Sequence, residues 1–166
     1  METCFINSPL GITKIVGDDN GISAISILEE GTISAVIPSV LQEAVLQLQD
    51  YFRNERTEFT FKINAKGTDF QQKVWQELLH IPYGTTISYR DLAKKLGDAK
   101  GIRAAASANG KNPLWIVVPC HRVIGTDGSL TGYAGGLWRK KWLLEHETPS
   151  NQQSLFFASN CTSNGR

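Results

Sequence analysis

An apolar run that ends in a proline, with three functional side chains directly behind it, constrains this chain most. Residues 112–125 read NPLWIVVPCHRVIG. The apolar run at 114–118 predicts a buried strand. Proline fixes φ and has no N–H to donate, so we expect the chain to leave the sheet at Pro119 and turn. Cys120 and His121 would face opposite sides of a continuous strand, whereas a turn could bring them into one pocket.

Cys120 has two interpretations. A free cysteine in an apolar run usually packs as a small hydrophobic side chain. A reactive thiol instead needs its thiolate form, which a nearby base, a helix N-terminus or a cation such as Arg122 would favour. His121 could take the thiol proton directly or through one water, provided that a third group fixes its tautomer. Spacing does not choose among the candidate orienting acids, which are Asp127, Glu145 and Glu147.

Composition bounds the class of protein. The 166 residues suffice for one substantial core or two small domains, and 41% hydrophobic with 20% charged residues argues against a disordered chain. The net charge of +1 means that any contact with DNA must come from a local arrangement of charge. The cysteines at 4, 120 and 161 form no C-x-x-C pair, which favours a reducing compartment.

Neither a secretory signal nor a membrane span is visible in the sequence. The N-terminus lacks a charged segment followed by an apolar one, and no apolar run approaches the ~20 residues that a span requires. We therefore expect a soluble protein that does not bind membranes. Its expected compartment is the cytoplasm, or the nucleus if the source is eukaryotic.

Residues 1–66 predict a small scaffold domain. ITKIV and ISAISI, separated by the turn-rich GDDNG, predict a β-hairpin or meander. Pro38 opens PSVLQEAVLQLQDYF, whose apolar spacing predicts a helix. EFTFKIN predicts one further strand, and no catalytic constellation is present.

Residues 67–148 predict a second, mostly helical domain. A helix is predicted from about residue 68 to 79, and Ser88 with Asp91 begins another that Gly97 ends. A further helix over roughly 101–109 completes a helix-turn-helix pattern. The strand LWIVV, a hairpin around TDG and a final helix over GLWRKKWLLEHE follow. We expect that helix to bury Leu137, Trp138, Trp142 and Leu143, and we expect residues 149–166 to be disordered.

The second helix of this pattern, GIRAAASANG, has an unusual surface. Small residues surround its single long side chain, Arg103. Such a helix could simply pack in the core. Recognition helices usually carry several long polar side chains, whereas a nearly bare helix lets its backbone approach DNA closely, with one side chain as a wedge. Its position upstream of a candidate thiol favours a protein that brings DNA to a nucleophile.

PCHRVIG, with NP ahead of it and GYAGGLWRKKWLLEHE behind it, resembles the O6-alkylguanine-DNA alkyltransferase family, the methylated-DNA–protein-cysteine methyltransferases. The resemblance covers roughly residues 68–147, and the first part resembles the family's N-terminal domain more loosely. It implies an α/β (α+β) fold: a small ribonuclease-H-like sheet with a helix, then a winged helix-turn-helix-like domain.

The resemblance also implies a role for each matching residue of the reaction. Cys120 would be the acceptor thiolate, which takes the alkyl group from guanine O6 in double-stranded DNA. His121 would act through a water as the base, oriented by Glu147, while Asn112 braces their turn. Tyr89 would crowd the target phosphate and donate a hydrogen bond to the departing guanine. Each molecule would act once, as a monomer, without a soluble cofactor, and acceptance of O4-alkylthymine stays open.

The remaining implied residues handle the extruded nucleotide. Arg103 would fill the gap that it leaves in the duplex. The flipped base would contact Val123, Tyr133, Ala134 and Gly135. Ala134 stands where some members have serine, which removes one possible hydrogen bond to the alkyl-bearing oxygen. Some members carry a structural zinc, but the first part of this chain offers only Cys4 as a ligand, so we expect no metal.

Two other functions compete with alkyl transfer. A protein that only recognises alkylated DNA and recruits other repair factors would not need the thiol, and relatives of that kind replace the cysteine. A cysteine hydrolase using Cys120 and His121 would leave the helix around Arg103 unexplained.

Overall fold

A computed structural model of the chain describes residues 1–148, which belong to two compact units. The first unit comprises Met1–Thr68 and Pro113–Val117, and the second comprises Asp69–Asn112 and the chain from Val118 onward. The predicted tail at 149–166 lies outside the described residues.

The first unit is an antiparallel meander with one helix. Its strands lie in the order β1-β2-β3, and their bounds are β1 Glu2–Ser8, β2 Gly11–Asp18 and β3 Gly21–Leu28. Buried residues alternate along β2, as expected for a sheet with one covered face. Pro38 precedes a 3-10 turn, Ser39–Leu41, which leads into α1 Gln42–Phe52. The predicted strands ITKIV and ISAISI, which form β2 and β3, and the predicted helix are confirmed, whereas β1 was not predicted.

Two predicted strands beside this meander are wrong. EFTFKIN meets β3 only at an isolated bridge between Ile22 and Ile63, and the later segment meets it only at a bridge between Ile25 and Leu114. LWIVV cannot continue as a strand because Ile116 has a φ of 75°, outside the extended region. The Val117 N–H donates to the Trp115 carbonyl at 2.9 Å, which closes a γ-turn. Periodicity does not reveal such a turn inside an apolar run.

The second unit contains the predicted helix-turn-helix. Its helices are α2 Asp69–Leu79, α3 Tyr89–Lys95, α4 Ile102–Gly110 and α5 Leu137–Glu147. Gly97, with a φ of 84°, turns the chain between α3 and α4, a conformation that favours glycine. The Trp75 indole N–H on α2 donates to the Ala108 carbonyl at 2.9 Å and ties α2 to the end of α4.

A short parallel sheet replaces the hairpin predicted around TDG. β4 Ile87–Ser88 pairs with β5 Val123–Ile124, so the residues after Cys120 run beside the start of α3. The TDG segment forms a local turn, in which the Gly125 N–H donates to the Ser129 carbonyl at 2.8 Å. The hairpin prediction is wrong because β5 finds its partner far away in the sequence.

The predicted apolar face of α5 is also wrong in part. Leu137 and Trp138 are 49% and 53% exposed, whereas Arg139, Lys140 and Glu147 are buried beside Leu143 and Leu144. Charged side chains occupy the inner face because each finds polar partners there, as described below. In residues 1–148, helices that are both long and apolar enough to cross a membrane are absent.

The N-terminal cap of α3 provides a stability test. The Ser88 hydroxyl accepts a hydrogen bond from the Asp91 N–H at 3.0 Å. We expect Ser88→Ala to lower the free energy of unfolding by about 1 kcal/mol, the usual cost of losing a capping side chain. Urea denaturation followed by tryptophan fluorescence measures this change. Ser88→Thr keeps a hydroxyl and should lose less; equal losses in the two variants would contradict the capping role.

Candidate active site

The turn at Pro119 places Cys120. Pro119 has φ −81° and ψ 63°, and the Cys120 N–H donates to the Val118 carbonyl at 2.8 Å. These values define an inverse γ-turn, so the chain turns where the proline predicted it. A 3-10 turn, Cys120–Arg122, follows and carries the functional side chains in succession.

Two asparagines at the end of α4 hold this turn. The Asn112 side-chain amide donates to the Val118 carbonyl at 2.7 Å, and that of Asn109 donates to the Cys120 carbonyl at 3.4 Å. Both side chains are buried. They supply the donors that a neighbouring strand would otherwise provide. Sequence reasoning singled out Asn112 but missed Asn109, whose only signal is a polar residue on an otherwise apolar helix face.

His121 and Glu147 form a buried pair. The His121 Nε2 lies 2.8 Å from a Glu147 carboxylate oxygen, and neither side chain is more than 1% exposed. Of the three candidate acids, Asp127 instead caps its own loop by accepting from the Ser129 N–H and hydroxyl, and Glu145 faces Lys141 at 4.0 Å. The tertiary structure therefore pairs the histidine with the last residue of α5.

This pair sets the histidine tautomer. Because Nε2 faces a carboxylate, the neutral imidazole carries its proton on Nε2 and leaves a lone pair on Nδ1. Within residues 1–148, the buried Nδ1 of His121 makes no hydrogen bond. It is thus the nitrogen that can receive a proton.

Arg122 joins His121 and Glu147 in one buried cluster, where it binds the carboxylate, a role that the sequence did not indicate. Its Nε and Nη2 donate to the two Glu147 carboxylate oxygens at 2.7 and 3.0 Å, and Nη1 donates to the Ile81 carbonyl at 2.7 Å. Burial alone would raise the pKa of Glu147, but the charges and hydrogen bonds of His121 and Arg122 hold it well below its usual range. The carboxylate therefore stays ionised beside the imidazole.

Gly84 makes room for this end of α5. Its φ is 79°, and a Cβ on it would lie 3.0 Å from the Glu147 carbonyl oxygen. A side chain here would be strained and would press on the backbone of the residue that orients His121. The Tyr83 hydroxyl next to it donates to the His146 carbonyl at 3.3 Å, which also holds the helix end.

Cys120 is buried, with 6% of the residue exposed. Burial raises its pKa, while a hydrogen bond from the Asn112 side chain and the positive charge of Lys140 lower it, without cancelling the effect of burial. Lys140, rather than Arg122, is thus the cation that acts on the sulfur. Because the raised pKa keeps the thiol protonated, reaction at this sulfur needs a base.

Lys140 is a fully buried lysine that sequence reasoning missed. Its ammonium donates to the carbonyls of Thr131 and Gly132 at 2.8 and 3.2 Å, and it lies 5.8 Å from the centroid of the Tyr89 ring. Burial lowers its pKa to about 8, and the negative form of Cys120 acts in the opposite direction. The apolar periodicity of α5 gave no sign that its inner face carries a cation.

The structure brings two tyrosines into the surroundings of Cys120. The Tyr89 hydroxyl donates to the Thr131 carbonyl at 3.3 Å. Burial, and then the negative form of Cys120, raises the pKa of Tyr89, and the same two causes raise that of Tyr133 well above its usual value. Both phenols therefore stay protonated and can donate hydrogen bonds at neutral pH.

The other predicted residues are distributed as follows. Val123 is fully buried in β5, directly after the turn of Cys120. Gly135 is buried and accepts a hydrogen bond from Arg139 at 2.8 Å, while Ala134 is exposed. Arg103 is exposed in the first turn of α4 and makes no hydrogen bond or ion pair within residues 1–148. The structure does not bring it to the cluster around Cys120.

Metal ligands are not grouped in the part of the chain that the structure describes. Residues 1–148 contain no cluster of three or more His, Cys, Asp or Glu side chains that could hold a metal ion. Cys4 is fully buried in β1, where burial raises its pKa.

Comparison with known proteins identifies two family domains in the chain. Residues 69–149 match the 6-O-methylguanine DNA methyltransferase, DNA binding domain, and residues 3–65 match the ribonuclease-like domain of the same family. The methylated-DNA–protein-cysteine methyltransferase of Mycobacterium tuberculosis is 46% identical over 147 residues, which cover 86% of this chain and 89% of the relative. That of Methanosarcina barkeri is 41% identical, covering 86% and 94%.

Solved structures agree with these matches. A crystal structure of Mycobacterium tuberculosis OGT in complex with DNA has a TM-score of 0.79 and 43% identity, and the match covers 91% of this chain and 97% of that one. An O6-methylguanine methyltransferase structure from the same organism has a TM-score of 0.79 and 41% identity, covering 93% and 98%. The predicted fold class is confirmed, and the chain belongs to the 6-O-methylguanine DNA methyltransferase family.

Proposed function

We propose that Cys120 is the acceptor of the alkyl group that this protein removes from O6-alkylguanine in double-stranded DNA. Family membership defines the activity as direct-reversal repair of DNA, in which the alkyl group passes to a cysteine of the protein. The observation that carries the assignment is the buried pair of His121 and Glu147, 2.8 Å apart, in the turn that begins with Cys120. This pair places an oriented imidazole directly after Cys120, the only cysteine among the second unit's described residues.

The proton and the electron pairs balance with side chains alone. His121 Nδ1 takes the thiol proton through one water, and Glu147 stabilises the imidazolium that forms. The Cys120 sulfur then attacks the alkyl carbon, the bond from that carbon to O6 breaks, and its electron pair stays on the guanine. Tyr89 donates a hydrogen bond to the departing guanine, and the proton that His121 took from the thiol returns through water to that guanine, so the base leaves neutral and the imidazole is restored. The product thioether is stable, so each molecule acts once.

Burial of Cys120 requires that the target nucleotide leave the duplex. A stacked base cannot offer its O6 substituent to a sulfur inside a pocket, and unstacking costs a few kcal/mol. Arg103, exposed on the small-residue surface of α4, fills the gap in the duplex. The extruded base contacts Val123, Tyr133, Ala134 and Gly135, and Ala134 lacks the hydroxyl that serine would offer to the alkyl-bearing oxygen.

The proposal also covers the roles of the two domains, the oligomeric state, the compartment and the cofactor requirement. Residues 67–148 carry the reaction, residues 1–66 act as a scaffold, and the protein works as a monomer in the cytoplasm, or in the nucleus of a eukaryote. Thiol, base and hydrogen-bond donors are all supplied by side chains, so the displacement uses neither a metal nor a cofactor.

Methyl transfer to one named cysteine tests the proposal directly. Incubation with duplex DNA containing O6-methylguanine should add one methyl group to Cys120, as measured by mass spectrometry of peptides. Cys120→Ala should abolish transfer while retaining DNA binding, because the α4 surface is unchanged. Cys161→Ser should transfer normally. A duplex that stays methylated at stoichiometric wild-type protein, or a methyl group on Cys4 or Cys161, would refute the assignment.

Glu147→Gln tests the orienting carboxylate. Removing one partner of a buried ion pair typically costs about 3–5 kcal/mol, and Arg122 would lose its counter-charge, so both stability and transfer rate should fall. Glu145→Gln is the matched control on the same helix. Its partner Lys141 is 4.0 Å away, so the loss should stay below about 1 kcal/mol.

The pH dependence of this loss has a defined sign. Because the pKa of Glu147 is lower in the folded than in the unfolded protein, its stabilisation is complete above the unfolded value, about 4.3, and is lost as the pH falls towards the folded value. The difference in unfolding free energy between wild type and Glu147→Gln should be constant from pH 8 to 6 and shrink below about pH 4.3. A difference that grows on acidification would contradict the ionised pair.

A further inference from the structure

Asn109 carries a buried hydrogen-bond acceptor without a donor. The residue is 3% exposed, and its side-chain oxygen Oδ1 makes no hydrogen bond within residues 1–148. An unpaired buried acceptor is unfavourable, because it has lost its bonds to solvent and gained none in the protein. Such groups are rare in native proteins and indicate a donor from a bound water or a ligand.

The other half of the same amide places Asn109 at the turn that carries Cys120. Its Nδ2 donates to the Cys120 carbonyl at 3.4 Å, and that carbonyl belongs to the peptide group between Cys120 and His121. Oδ1 and Nδ2 are bonded to one carbon atom, so the unpaired oxygen is next to this peptide group as well. His121 contributes a second buried acceptor without a donor, its Nδ1. Asn109 and the peptide group it binds thus bring two unpaired acceptors to the residue that carries the thiol.

The proton relay, in which one water carries the thiol proton to His121, needs a water that is held in one orientation. A water has two hydrogens to donate, and a buried water typically makes about three hydrogen bonds. If the Cys120 thiol and His121 Nδ1 were its partners alone, one hydrogen would lack an acceptor and the water could rotate away from Nδ1. A second acceptor on the same side of the turn removes this freedom, and Asn109 Oδ1 is such an acceptor.

We propose that Asn109 is a positioning residue whose Oδ1 holds the water that carries the proton from Cys120 to His121. One water hydrogen is donated to Oδ1 and the other to His121 Nδ1, while the water oxygen accepts from the thiol. When the thiol proton passes to the water oxygen, the water passes its own proton to Nδ1 and stays neutral. This inference rests on the proposed role of Cys120 as acceptor and adds one residue to its proton path.

The pH dependence of methyl transfer separates this role from a structural one. Asn109→Leu removes both polar atoms at nearly constant size. At about pH 7 its transfer rate constant should fall at least about tenfold, since general-base catalysis typically contributes about 10²–10⁴-fold. The thiol ionises without the relay as the pH rises, so the ratio of wild-type to variant rate constants should shrink steadily up to about pH 9.5. The other titratable groups around the sulfur, Lys140, Tyr89 and Tyr133, are the same in both proteins and cancel in the ratio.

Two further variants exclude structural explanations. Trp75→Phe removes a hydrogen bond of 2.9 Å to the Ala108 carbonyl and perturbs the end of α4 beside Asn109, so any loss that it causes should be the same at every pH. A side-chain hydrogen bond also links Asn109 to Tyr89. The loss in Asn109→Leu is therefore measured again in the Tyr89→Phe background, where it should persist because the relay does not use the phenol.

The outcomes distinguish this inference from the function on which it rests. A ratio that stays constant between about pH 7 and about pH 9.5, or a loss that vanishes in the Tyr89→Phe background, would overturn the role of Asn109. Wild-type protein that leaves Cys120 unmethylated after incubation with O6-methylguanine duplex would refute the proposed function itself. Normal wild-type transfer with a pH-independent ratio refutes only the role of Asn109.

A crystal structure of the wild-type protein at high resolution provides a test that needs no variant. We expect an ordered water within hydrogen-bonding distance of Asn109 Oδ1, His121 Nδ1 and the Cys120 sulfur. A water that contacts His121 Nδ1 without contacting Asn109, or a site without ordered water, would contradict the inference even if Asn109→Leu fails to fold.

Discussion

The carboxylate of Glu147 is the interaction on which the site depends. It lies at the end of α5, and it binds the imidazole of His121 and the guanidinium of Arg122 at the same time. Burial of an isolated carboxylate would be strongly unfavourable, but two donors with positive or potential positive charge make it favourable. One buried group thus fixes the last helix, the tautomer of His121 and the turn that carries Cys120.

A second constraint comes from the backbone. The γ-turn at Pro119 ends the apolar run, and amides from the end of α4 satisfy the carbonyls around it. The parallel pairing of β4 with β5 then places the start of α3, and with it Tyr89, beside this turn. The helix-turn-helix and the turn that carries Cys120 are therefore built as one piece, as the proposed delivery of DNA to the Cys120 sulfur requires.

The buried cations of the second unit follow a common rule. Arg122 has a permanent carboxylate partner, and Arg139 donates to the Gly135 carbonyl and stacks on Trp138, its Cζ 4.5 Å from the ring centroid. Lys140 donates to the carbonyls of Thr131 and Gly132, and its ammonium lies 5.8 Å from the centroid of the Tyr89 ring. Each of these buried cations thus has polar or aromatic partners within the second unit.

The sequence by itself determined the pairing of β2 with β3, the helices, the helix-turn-helix and the turn at PCHR, because these depend on local periodicity, caps, turn residues and proline. Strand β1 was not predicted. It could not choose Glu147 over Asp127 and Glu145 from spacing, and only the resemblance to a family did so. The tertiary structure decided that LWIVV forms a γ-turn and no strand, that β5 pairs with β4, and that α5 buries Lys140 and exposes Trp138. Each of these depends on partners distant in sequence, which satisfy backbone groups and charges that a local pattern treats as solvent-exposed.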